Sequence, residues 1–443
     1  MAPALLCLVG AVGGDNNLNE YSERESGMQS SHLKYIALYL PQFHAIPEND
    51  EWWGKGFTEW TNTKPMKPLF EGHYQPHEPV DDLGYYDLSD VGVMVKQAEL
   101  AKSYGISGFC YYYYWFNGRT LLEKPLRNML NDARVAIPFC LCWANHNWTR
   151  RWDGRDQEML LEQTYDETTY ARFIDDLAPY LSDERYIRVD DKPVLLVYQA
   201  EQVQNPRKAV EIWRAHARSK YGTDLYLICV QQSSETHPAD FGYDAAVDFT
   251  PKWRSEDALP HSDYPKYLKD ETSAVFFDYR KNTLKSVLRS EQYKLYRCVY
   301  PMWDNSPRRK GTGAFIVVNS SIELFRRFLI EMSKLTVSSF EPAERFLFIN
   351  AWNEWAEGTH LEPCKKHGDS LLRICREISS MPRDALTRMG FEQCDIDWIR
   401  SLVAAPPARD EAGARVKAIV RVGRGVKRVL RGLKKHLAPG QAH

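Results

Sequence analysis

The sequence predicts an α/β fold: a closed (β/α)8 TIM barrel with a long insertion after its first strand and a basic amphipathic helical tail at its C-terminus. Eight short apolar runs, rich in aromatic and β-branched residues, recur along the chain, and helical patterns separate most of them. Strands that are apolar along their whole length are typical of a parallel sheet with both faces buried. Eight strand–helix alternations favour closure into a barrel, and a doubly wound open sheet is the alternative.

The predicted strands are the runs YIALYLPQF, ISGFCYYYYW, IPFCLCWAN, PVLLVYQ, LYLICVQQ, AAVDFTPKW, RCVYPMW and FLFINAW, which begin at Tyr35, Ile106, Ile137, Pro193, Leu225, Ala245, Arg297 and Phe346. Helices are predicted where apolar residues repeat at spacings of three and four, in segments 88–105, 120–133, 167–181, 206–222 and 321–335. The first of these segments starts with Ser89 as a cap and stops at Gly105. Predicted strands five and six are joined by about a dozen residues without a helical pattern.

Residues 45–87 form a predicted insertion that is rich in Trp, Pro and Gly. A long ordered loop at this end of a barrel is usually functional. His73 and His77 are four residues apart within it, but Pro76 argues against a shared helical face, so we interpret them as loop residues rather than metal ligands.

The predicted barrel occupies residues 34–400, and the flanking segments differ from it in composition. Residues 1–33 are predicted to be a disordered or wrongly assigned tail, and the residues before Met28 would precede the true start if translation begins there. Residues 401–413 form a predicted linker. Residues 414–437 form a predicted helix with apolar residues on one side and Lys and Arg on the other, which favours peripheral binding to an anionic membrane. A helix packed on the barrel or a nucleic-acid-binding tail is the alternative.

The composition bounds the class of protein. A hydrophobic content of 44% in 443 residues is enough for a large core, and a net charge of −2 gives no indication of nucleic-acid binding. Cys110, Cys140, Cys142, Cys229 and Cys298 lie in apolar runs and are expected to be buried thiols. A disulfide framework is not expected in a chain of this length, which favours a cytoplasmic location.

Aromatic and hydrogen-bonding residues recur where the predicted strands end, which is the active-site end of a barrel. These ends include Gln42–His44, Tyr113–Asn117, Trp143–Trp148, Lys252–Trp253, Trp303–Asn305 and Asn353–Glu357. A single aromatic residue at a strand end is more often part of the core or rim. Its repetition beside polar groups is typical of a sugar-binding site, where flat apolar walls surround a few hydrogen-bonding groups.

The segment INAWNEWAEGTHLEP, residues 349–363, places Glu354 and Glu357 directly after the last predicted strand. If the turn is helical, residues three apart share one face with Cβ atoms roughly 5–6 Å apart. Two carboxyl groups so placed can act on a glycosidic bond, one delivering a proton and the other working on the opposite side. Trp352 and Trp355 would desolvate them and separate their pKa values. A surface turn with incidental charges is the alternative.

Motifs for phosphate and metal chemistry are missing from the sequence. It contains no GxxxxGK[ST] loop and no HExxH, and its one D-x-D, Asp395 to Asp397, lies beyond the barrel strands. A metal-assisted nucleotide-sugar site is therefore poorly supported, and we expect neither a cofactor nor a metal.

The segments LPQFHAIPENDEWWGKGFTEW, LFEGHYQPHEP, LGYYDL, GFCYYYYWFNG, PFCLCWANHNWTRRWDG and FINAWNEWAEGTHLEP resemble the glycoside hydrolase family 99-like proteins, also called WbsX-type polysaccharide-biosynthesis proteins. The resemblance extends from about Tyr35 to Leu372 and implies a barrel related to retaining endo-α-mannosidases. It implies that Glu357 is the general acid/base at the glycosidic oxygen. It implies that Glu354 is the base that helps the substrate's own 2-hydroxyl attack the anomeric carbon, through an anhydro-sugar intermediate without a metal.

The chain departs from the family's pattern at a few positions. Tyr113 stands where the pattern has His, and His146 stands where it has Glu. Both are expected to lie in the site, so the resemblance does not fix the sugar preference. After HLEP, the segment CKKHGDS replaces the usual Tyr- and Gly-rich continuation.

We therefore predict an enzyme that cleaves or transfers glycosidic bonds in cell-surface polysaccharide biosynthesis, such as that of O-antigen or capsule. Its expected substrate is an oligosaccharide or lipid-linked glycan, and its expected location is the cytoplasmic side of the inner membrane. A secreted glycan-degrading endo-glycosidase and a catalytically silent glycan-binding barrel are the alternatives. The candidate substrate-binding residues are Tyr39, His44, Glu59, Trp60, Tyr112, Tyr113, Trp115, Trp143, Asn145, Trp148, Trp303, Asn353 and Trp355.

Overall fold

Eight parallel strands form a closed barrel in the computed structural model, which describes residues 31–150, 155–165, 167–232, 236–260, 273–309 and 312–397. The strands are β1 (Lys34–Tyr39), β2 (Ile106–Phe116), β3 (Phe139–Trp143), β4 (Lys192–Val197), β5 (Tyr226–Gln231), β6 (Ala245–Asp248), β7 (Leu295–Val299) and β8 (Phe346–Ile349). Each pairs in parallel with its neighbours in chain order, and β1 pairs with both β2 and β8. This closure confirms the predicted (β/α)8 barrel and excludes the open sheet.

Helices cover the outside of the barrel and its insertions. They are α1 (Pro47–Trp53) and α2 (Trp60–Thr63) in the insertion after β1, α3 (Val91–Ser103), α4 (Lys124–Asn131), α5 (Glu167–Leu181), α6 (Pro206–Tyr221), α7 (Tyr279–Leu288), α8 (Ser306–Arg309), α9 (Ile322–Ser339), α10 (Ser370–Ser379) and α11 (Arg383–Thr387). The predicted segments contain α3, α4, α5 and α6, and the predicted segment 321–335 covers all but the last four residues of α9. The predicted cap of α3 is corrected from Ser89 to Asp90, whose side chain accepts a hydrogen bond from the Gly92 amide. Between β5 and β6 the described residues form a single 3-10 turn, Pro238–Asp240.

Helix α7 was not predicted, and its composition explains why. Its buried positions include Asn282, Thr283 and Ser286 as well as Tyr279 and Leu284. Because polar residues occupy part of the face that packs inward, the sequence shows no clear apolar repeat there.

Short strands extend the barrel at its ends. Arg119–Leu121 pairs with the end of β2, and Arg188–Val189 pairs with the start of β4. Further strands pair with one another: Trp148–Arg150 with Arg155–Leu161, Trp303–Asp304 and Ser273–Asp278 with Thr312–Val318, and Asn353–Glu354 with Thr359–His360. Most of them follow the carboxyl ends of barrel strands, where they build the walls of a cavity.

The barrel strands are buried on both faces, which is what their uniformly apolar composition predicted. Cys110, Cys140, Cys142, Cys229 and Cys298 are buried within them, as expected. No helix in the described ranges is both long and apolar enough to cross a membrane. Residues 1–30, the predicted linker 401–413 and the predicted helix 414–437 lie outside the described residues. Residues 31–33, assigned to the tail from sequence, contact the barrel, since the Ser31 carbonyl accepts a hydrogen bond from Arg345.

Candidate active site

A cavity of about 660 Å³ lies at the carboxyl ends of the barrel strands. Every barrel strand contributes to it through its last residues or the segment that follows it. The lining includes the carboxylates Glu59, Glu354 and Glu357, the basic residues Lys252, Arg254, Arg308 and Arg309, and the rings of Trp53, Tyr112, Tyr114, His146, Trp148, Tyr198, Trp253 and Trp303. Aromatic walls around a charged floor suit a polyhydroxylated ligand with apolar faces.

The two predicted catalytic carboxylates leave one short turn after β8. Residues Asn353–Glu354 pair antiparallel with Thr359–His360, and Trp355–Glu357 between them form a single 3-10 turn. Glu354 comes directly before this turn and Glu357 ends it, and both carboxylates accept hydrogen bonds from Arg308. Gly358 closes the turn at φ 60°, and a Cβ there would lie 3.0 Å from the Asp304 nitrogen. Both the backbone conformation and this close approach require glycine.

One guanidinium group joins three carboxylates in the cavity. Arg308 Nη2 donates hydrogen bonds to Glu354 Oε2 at 2.6 Å and to Glu59 Oε1 at 3.0 Å, and Nη1 donates to Glu357 Oε1 at 2.5 Å. Arg308 lies on α8. The backbone N–H of Ser306, the first residue of α8, donates a hydrogen bond to Asp304 Oδ1. The planar fork of arginine can hold several carboxylates in fixed directions, which an ammonium group cannot do.

The cluster contains three carboxyl groups and one guanidinium group, and burial raises the pKa of two of the carboxyl groups. Burial raises the pKa of Glu354 well above its usual range, with Arg308 opposing the shift and Glu357 and Glu59 adding to it. Burial also raises the pKa of Glu59 to about 7, again against Arg308. For Arg308 itself, burial disfavours the charge, but the three carboxylates outweigh it and raise its pKa. The site therefore retains protons on carboxyl groups near neutral pH beside a permanent cation.

The structure brings six of the predicted site residues to the cavity: Glu59, Tyr112, Trp148, Trp303, Glu354 and Glu357. Tyr39, Tyr113, Trp115 and Trp143 face the outer helices instead, and their assignment to substrate binding is corrected. Trp115 donates to Asp176, Trp143 packs on Phe173, and Tyr113 packs on Tyr180, all three partners on α5. Side chains alternate along a strand, so Tyr112 and Tyr114 on β2 face inward and Tyr113 and Trp115 face outward.

The remaining predicted substrate-binding residues support the cavity wall from behind, and their assignment is corrected in the same way. The Asn353 side chain bonds both backbone groups of Leu40, and Asn145 does the same for Gln199. Likewise Trp60 donates to the Tyr86 carbonyl, His44 bonds to the Pro41 carbonyl, and Trp355 donates to Glu362. The side-chain polar atoms of the two asparagines and the two tryptophans are all occupied by the protein, so these four residues fix loops rather than contact a sugar. His44 Nε2 is buried without a hydrogen-bond partner among the described residues, and His44 lies outside the cavity lining.

The candidate list from sequence omitted several residues of the cavity. Tyr114, His146, Lys252 and Trp253 stood at strand ends in the sequence, and Arg308 follows strand β7 in the turn NSPRRK. A strand-end position was the only signal available for them. Of the two departures from the family pattern, His146 lines the cavity, while Tyr113 lies outside it.

His73 and His77 lie in the insertion after β1, in a loop as predicted, and they have separate partners. The His73 ring bonds Asp304 Oδ2 at 2.6 Å, and the His77 ring bonds that of His360 at 2.9 Å. In the part of the chain that the structure describes, no group of three or more His, Cys, Asp or Glu residues is arranged to hold a metal ion.

The fold and the cavity define a class of (β/α)8-barrel proteins with carboxylates and aromatic rings clustered at the strand ends. Within that class, the chain belongs to the WbsX glycosyltransferase family, whose family model, "Glycosyltransferase WbsX", matches residues 35–375. This match confirms the resemblance found in the sequence motifs.

Two relatives and two solved structures are also similar to this chain. Two proteins of Xanthomonas campestris pv. campestris, each described as "Uncharacterized protein WxcX", are 41% identical over 355 residues, which is 80% of this chain and 50% of theirs. The chain thus spans about half the length of these relatives. A "Glycoside hydrolase-like protein" shares the fold with a TM-score of 0.51 at 14% identity, over 79% of this chain and 94% of that one. A GH99 endo-alpha-mannosidase from Bacteroides thetaiotaomicron gives a TM-score of 0.46 at 13% identity, over 85% and 99% of the two chains.

The raised pKa of Glu59 predicts how a glutamine substitution changes the pH dependence of stability. A carboxyl group whose pKa rises from 4.5 to about 7 on folding contributes stability that is present below pH 4.5 and is lost as the pH rises through 7. The glutamine in Glu59→Gln does not titrate. The melting temperature of this variant minus that of wild type should therefore be larger at pH 7.5 than at pH 5. Thermal unfolding monitored by circular dichroism at both pH values measures this difference.

Glu51→Gln, at an exposed glutamate of α1, is the control for this experiment. Its melting temperature should keep a constant offset from wild type across the same pH range. A constant offset for Glu59→Gln as well would show that the Glu59 carboxyl group ionises in the folded protein as it does in the unfolded chain.

Proposed function

We propose that this chain is an enzyme that cleaves or transfers glycosidic bonds in cell-surface polysaccharide biosynthesis, with Glu354 and Glu357 as its carboxylate pair. One observation carries the proposal: both carboxylates leave a single turn at the end of β8 and share Arg308 within a cavity walled by indoles. Family membership supports the same class of activity. The cavity is concave and mixes apolar rings with a few charged groups, as sites for sugars do.

The roles of the two carboxylates are proposed from the motif resemblance and are supported by their different exposure. The Glu357 side chain is 19% exposed and the Glu354 side chain 5%, so Glu357 is the more accessible to a leaving group in the open cavity. Glu357 would protonate the glycosidic oxygen as its bond to the anomeric carbon breaks. Glu354 would take the proton of the 2-hydroxyl as that oxygen attacks the same carbon, giving the anhydro sugar.

The second step reverses the proton transfers. Water or an acceptor hydroxyl gives its proton to Glu357 and attacks the anomeric carbon, while the ring-opening oxygen recovers its proton from Glu354. With water the net reaction is hydrolysis, and with a sugar hydroxyl it is transfer. Burial raises the pKa of Glu354 and so makes its ionised form a stronger base, and the guanidinium of Arg308 opposes that shift and so favours ionisation.

The function is tested by mass spectrometry of lipid-linked glycans from cells that contain the wild-type protein, no protein, or Glu357→Gln. A glycan species should change in length or composition only in the presence of wild-type protein. Identical profiles in all three would contradict a role in polysaccharide biosynthesis. Full complementation by Glu357→Gln would favour the silent glycan-binding barrel. Activity that chelation abolishes and a divalent ion restores would favour a metal-dependent transferase.

We also propose that the protein acts at the cytoplasmic face of the inner membrane, held there by residues 414–437. The basic amphipathic pattern and the burial of five strand thiols support this location. A lipid-linked glycan would make such anchoring useful, because it confines enzyme and substrate to one surface.

Deleting residues 411–443 is expected to leave the barrel folded and to move the protein from the membrane fraction to the soluble one. Basic residues near an anionic leaflet contribute on the order of 1 kcal/mol each, and the apolar face adds roughly 25 cal/mol per Å² buried. Flotation with liposomes measures the binding. It should require anionic lipid and weaken toward 1 M salt, where the Debye length is about 3 Å.

Wild-type protein that stays free of anionic liposomes at low salt would contradict the anchor. The deletion would then be examined for its melting temperature. A lowered melting temperature would show that the helix packs on the barrel instead.

A further inference from the structure

A further buried carboxylate, Glu362, lies outside the cavity lining, five residues after the turn that carries the proposed catalytic pair. Only 1% of the surface of Glu362 is exposed to solvent. Three side chains donate hydrogen bonds to it: Gln97 Nε2 to Oε1 at 2.6 Å, Tyr86 Oη to Oε2 at 2.8 Å, and Trp355 Nε1 to Oε2 at 2.7 Å. In the described part of the chain, no lysine or arginine hydrogen-bonds to this carboxylate. Ionising a buried carboxyl group that is held only by neutral donors costs stability.

The donors join the catalytic turn to distant parts of the chain. Gln97 lies on α3 and also accepts a hydrogen bond from Tyr39 on β1 at 2.6 Å. Tyr86 belongs to the segment between β1 and α3, and its hydroxyl also lies 3.4 Å from Asn353 Nδ2. Glu362 therefore connects α3 and the segment before it to the indole of Trp355, and β1 is joined to it indirectly through Gln97.

Trp355 is the residue whose placement fixes the catalytic carboxylates. It follows Glu354 directly and forms the 3-10 turn that ends at Glu357. Its ring stacks on His360 with centroids 3.8 Å apart and contacts Trp60 at 5.6 Å, so the ring is held on its faces. The indole N–H is its only polar group, and Glu362 is the acceptor that sets how the ring lies between those neighbours.

We propose that Glu362 is a positioning residue for the reaction proposed above: it locks the Trp355 indole and, through it, the turn that presents Glu354 and Glu357. This inference rests on the proposed function for its effect on turnover, but its structural part stands alone. Displacing a catalytic group by about 1 Å can cost roughly 100-fold in rate. Loss of this hydrogen bond should therefore lower kcat more than it raises KM, because Tyr86, Gln97 and Trp355, which bond Glu362, do not line the cavity.

Ionisation of Glu362 should be visible at Trp355. Burial raises the pKa of Glu362 to about 7, with the hydrogen bonds from Trp355, Tyr86 and Gln97 opposing the shift. The titratable groups that face it are the Tyr86 hydroxyl, the Tyr39 hydroxyl through Gln97, and His360, which bonds the Glu362 carbonyl. Burial lowers the pKa of His360 to about 3, and burial raises those of both tyrosines, so none of the three titrates near pH 7. A charged acceptor strengthens an N–H hydrogen bond about twofold, so the indole N–H should respond as Glu362 gains its proton.

The first test uses ¹H–¹⁵N spectra of full-length protein with ¹⁵N-labelled tryptophan, recorded from pH 5.5 to 8.5. The Trp355 indole signal, identified by its loss in Trp355→Phe, should shift with a midpoint near pH 7. Glu362→Gln should remove that shift. The lock is overturned if the Trp355 indole signal does not move with pH, or if it moves equally in Glu362→Gln.

The second test is steady-state kinetics on the glycan that the wild-type protein turns over. Glu362→Ala and Trp355→Phe should lower kcat about 100-fold and 10-fold, with KM within about threefold of wild type. Glu331→Gln is the matched control, because Glu331 is also a buried glutamate, but it lies in α9 and bonds Lys334 and the Phe391 amide. It should keep wild-type kcat. Wild-type kcat in Glu362→Ala would overturn the positioning role.

The two tests separate the two proposals. If the Trp355 indole signal shifts with pH as expected but the wild-type protein turns over no glycan, the proposed function is wrong and the hydrogen bond between Glu362 and Trp355 is supported. If the wild-type protein is active and the indole signal ignores Glu362, the function stands and the lock fails. Should Glu362→Ala not fold, Glu362→Gln carries the spectroscopic measurement and Trp355→Phe carries the kinetic one.

Discussion

Replacing Glu357 by glutamine is expected to abolish turnover of glycans with poor leaving groups while leaving the fold intact. An amide cannot give its proton to the glycosidic oxygen, and a positioned general acid contributes roughly 10²–10⁴-fold or more. Glutamine keeps an oxygen that can accept the hydrogen bond from Arg308 Nη1, and the side chain is partly exposed to the cavity. Its melting temperature should therefore stay within a few degrees of wild type.

The leaving group provides the sharper measurement. In an aryl glycoside of the same sugar, the leaving group is a phenolate, which departs without being protonated. Glu357→Gln should therefore lose far less activity on this substrate than on the natural glycan. Glu211→Gln, at an exposed glutamate of α6, is the control and should match wild type on both substrates. Near-wild-type turnover of the natural glycan by folded Glu357→Gln would remove Glu357 from the mechanism.

Replacing Arg308 by alanine is expected to lower turnover at pH 7 by at least about 100-fold and to move the activity optimum to higher pH. Without the guanidinium, Glu59, Glu354 and Glu357 face one another without the cation that now holds them. Removing a nearby cation raises the pKa of a carboxyl group, so Glu354 needs a more alkaline solution to ionise and serve as a base. Loss of one partner from a buried ion cluster also destabilises the fold.

The pH–rate profile and the melting temperature distinguish these effects. Arg308→Lys keeps the charge but loses the fork, so it should retain the wild-type optimum better than alanine while recovering only part of the rate. Arg326→Ala is the matched control, because the Arg326 side chain is 24% exposed, close to the 22% of Arg308, and it pairs with Glu377 outside the cavity. An unchanged optimum in Arg308→Ala would show that the guanidinium does not set the ionisation of Glu354.

The sequence by itself determined the barrel and the place of the carboxylate turn. The eight strands were found because each is a short run of apolar residues bounded by turns, a signal contained within ten residues or so. Glu354 and Glu357 were found for a similar reason, since a strand end and a two-carboxylate turn are neighbours in the chain. The sequence did not predict helix α7, because the buried face of this helix includes Asn282, Thr283 and Ser286.

Only the tertiary structure decided which side chains meet in the cavity. Strand β2 is apolar on both faces, so its composition could not reveal that Tyr112 and Tyr114 point inward while Tyr113 and Trp115 point at the helices. Arg308 lies 46 residues from Glu354 and 249 from Glu59 along the chain, and no local pattern marks their contact. Ion pairs and hydrogen bonds of this kind depend on how the barrel closes and how its loops fold over the strand ends. Sequence periodicity records which residues are buried, and the packed fold alone determines which buried polar groups become partners.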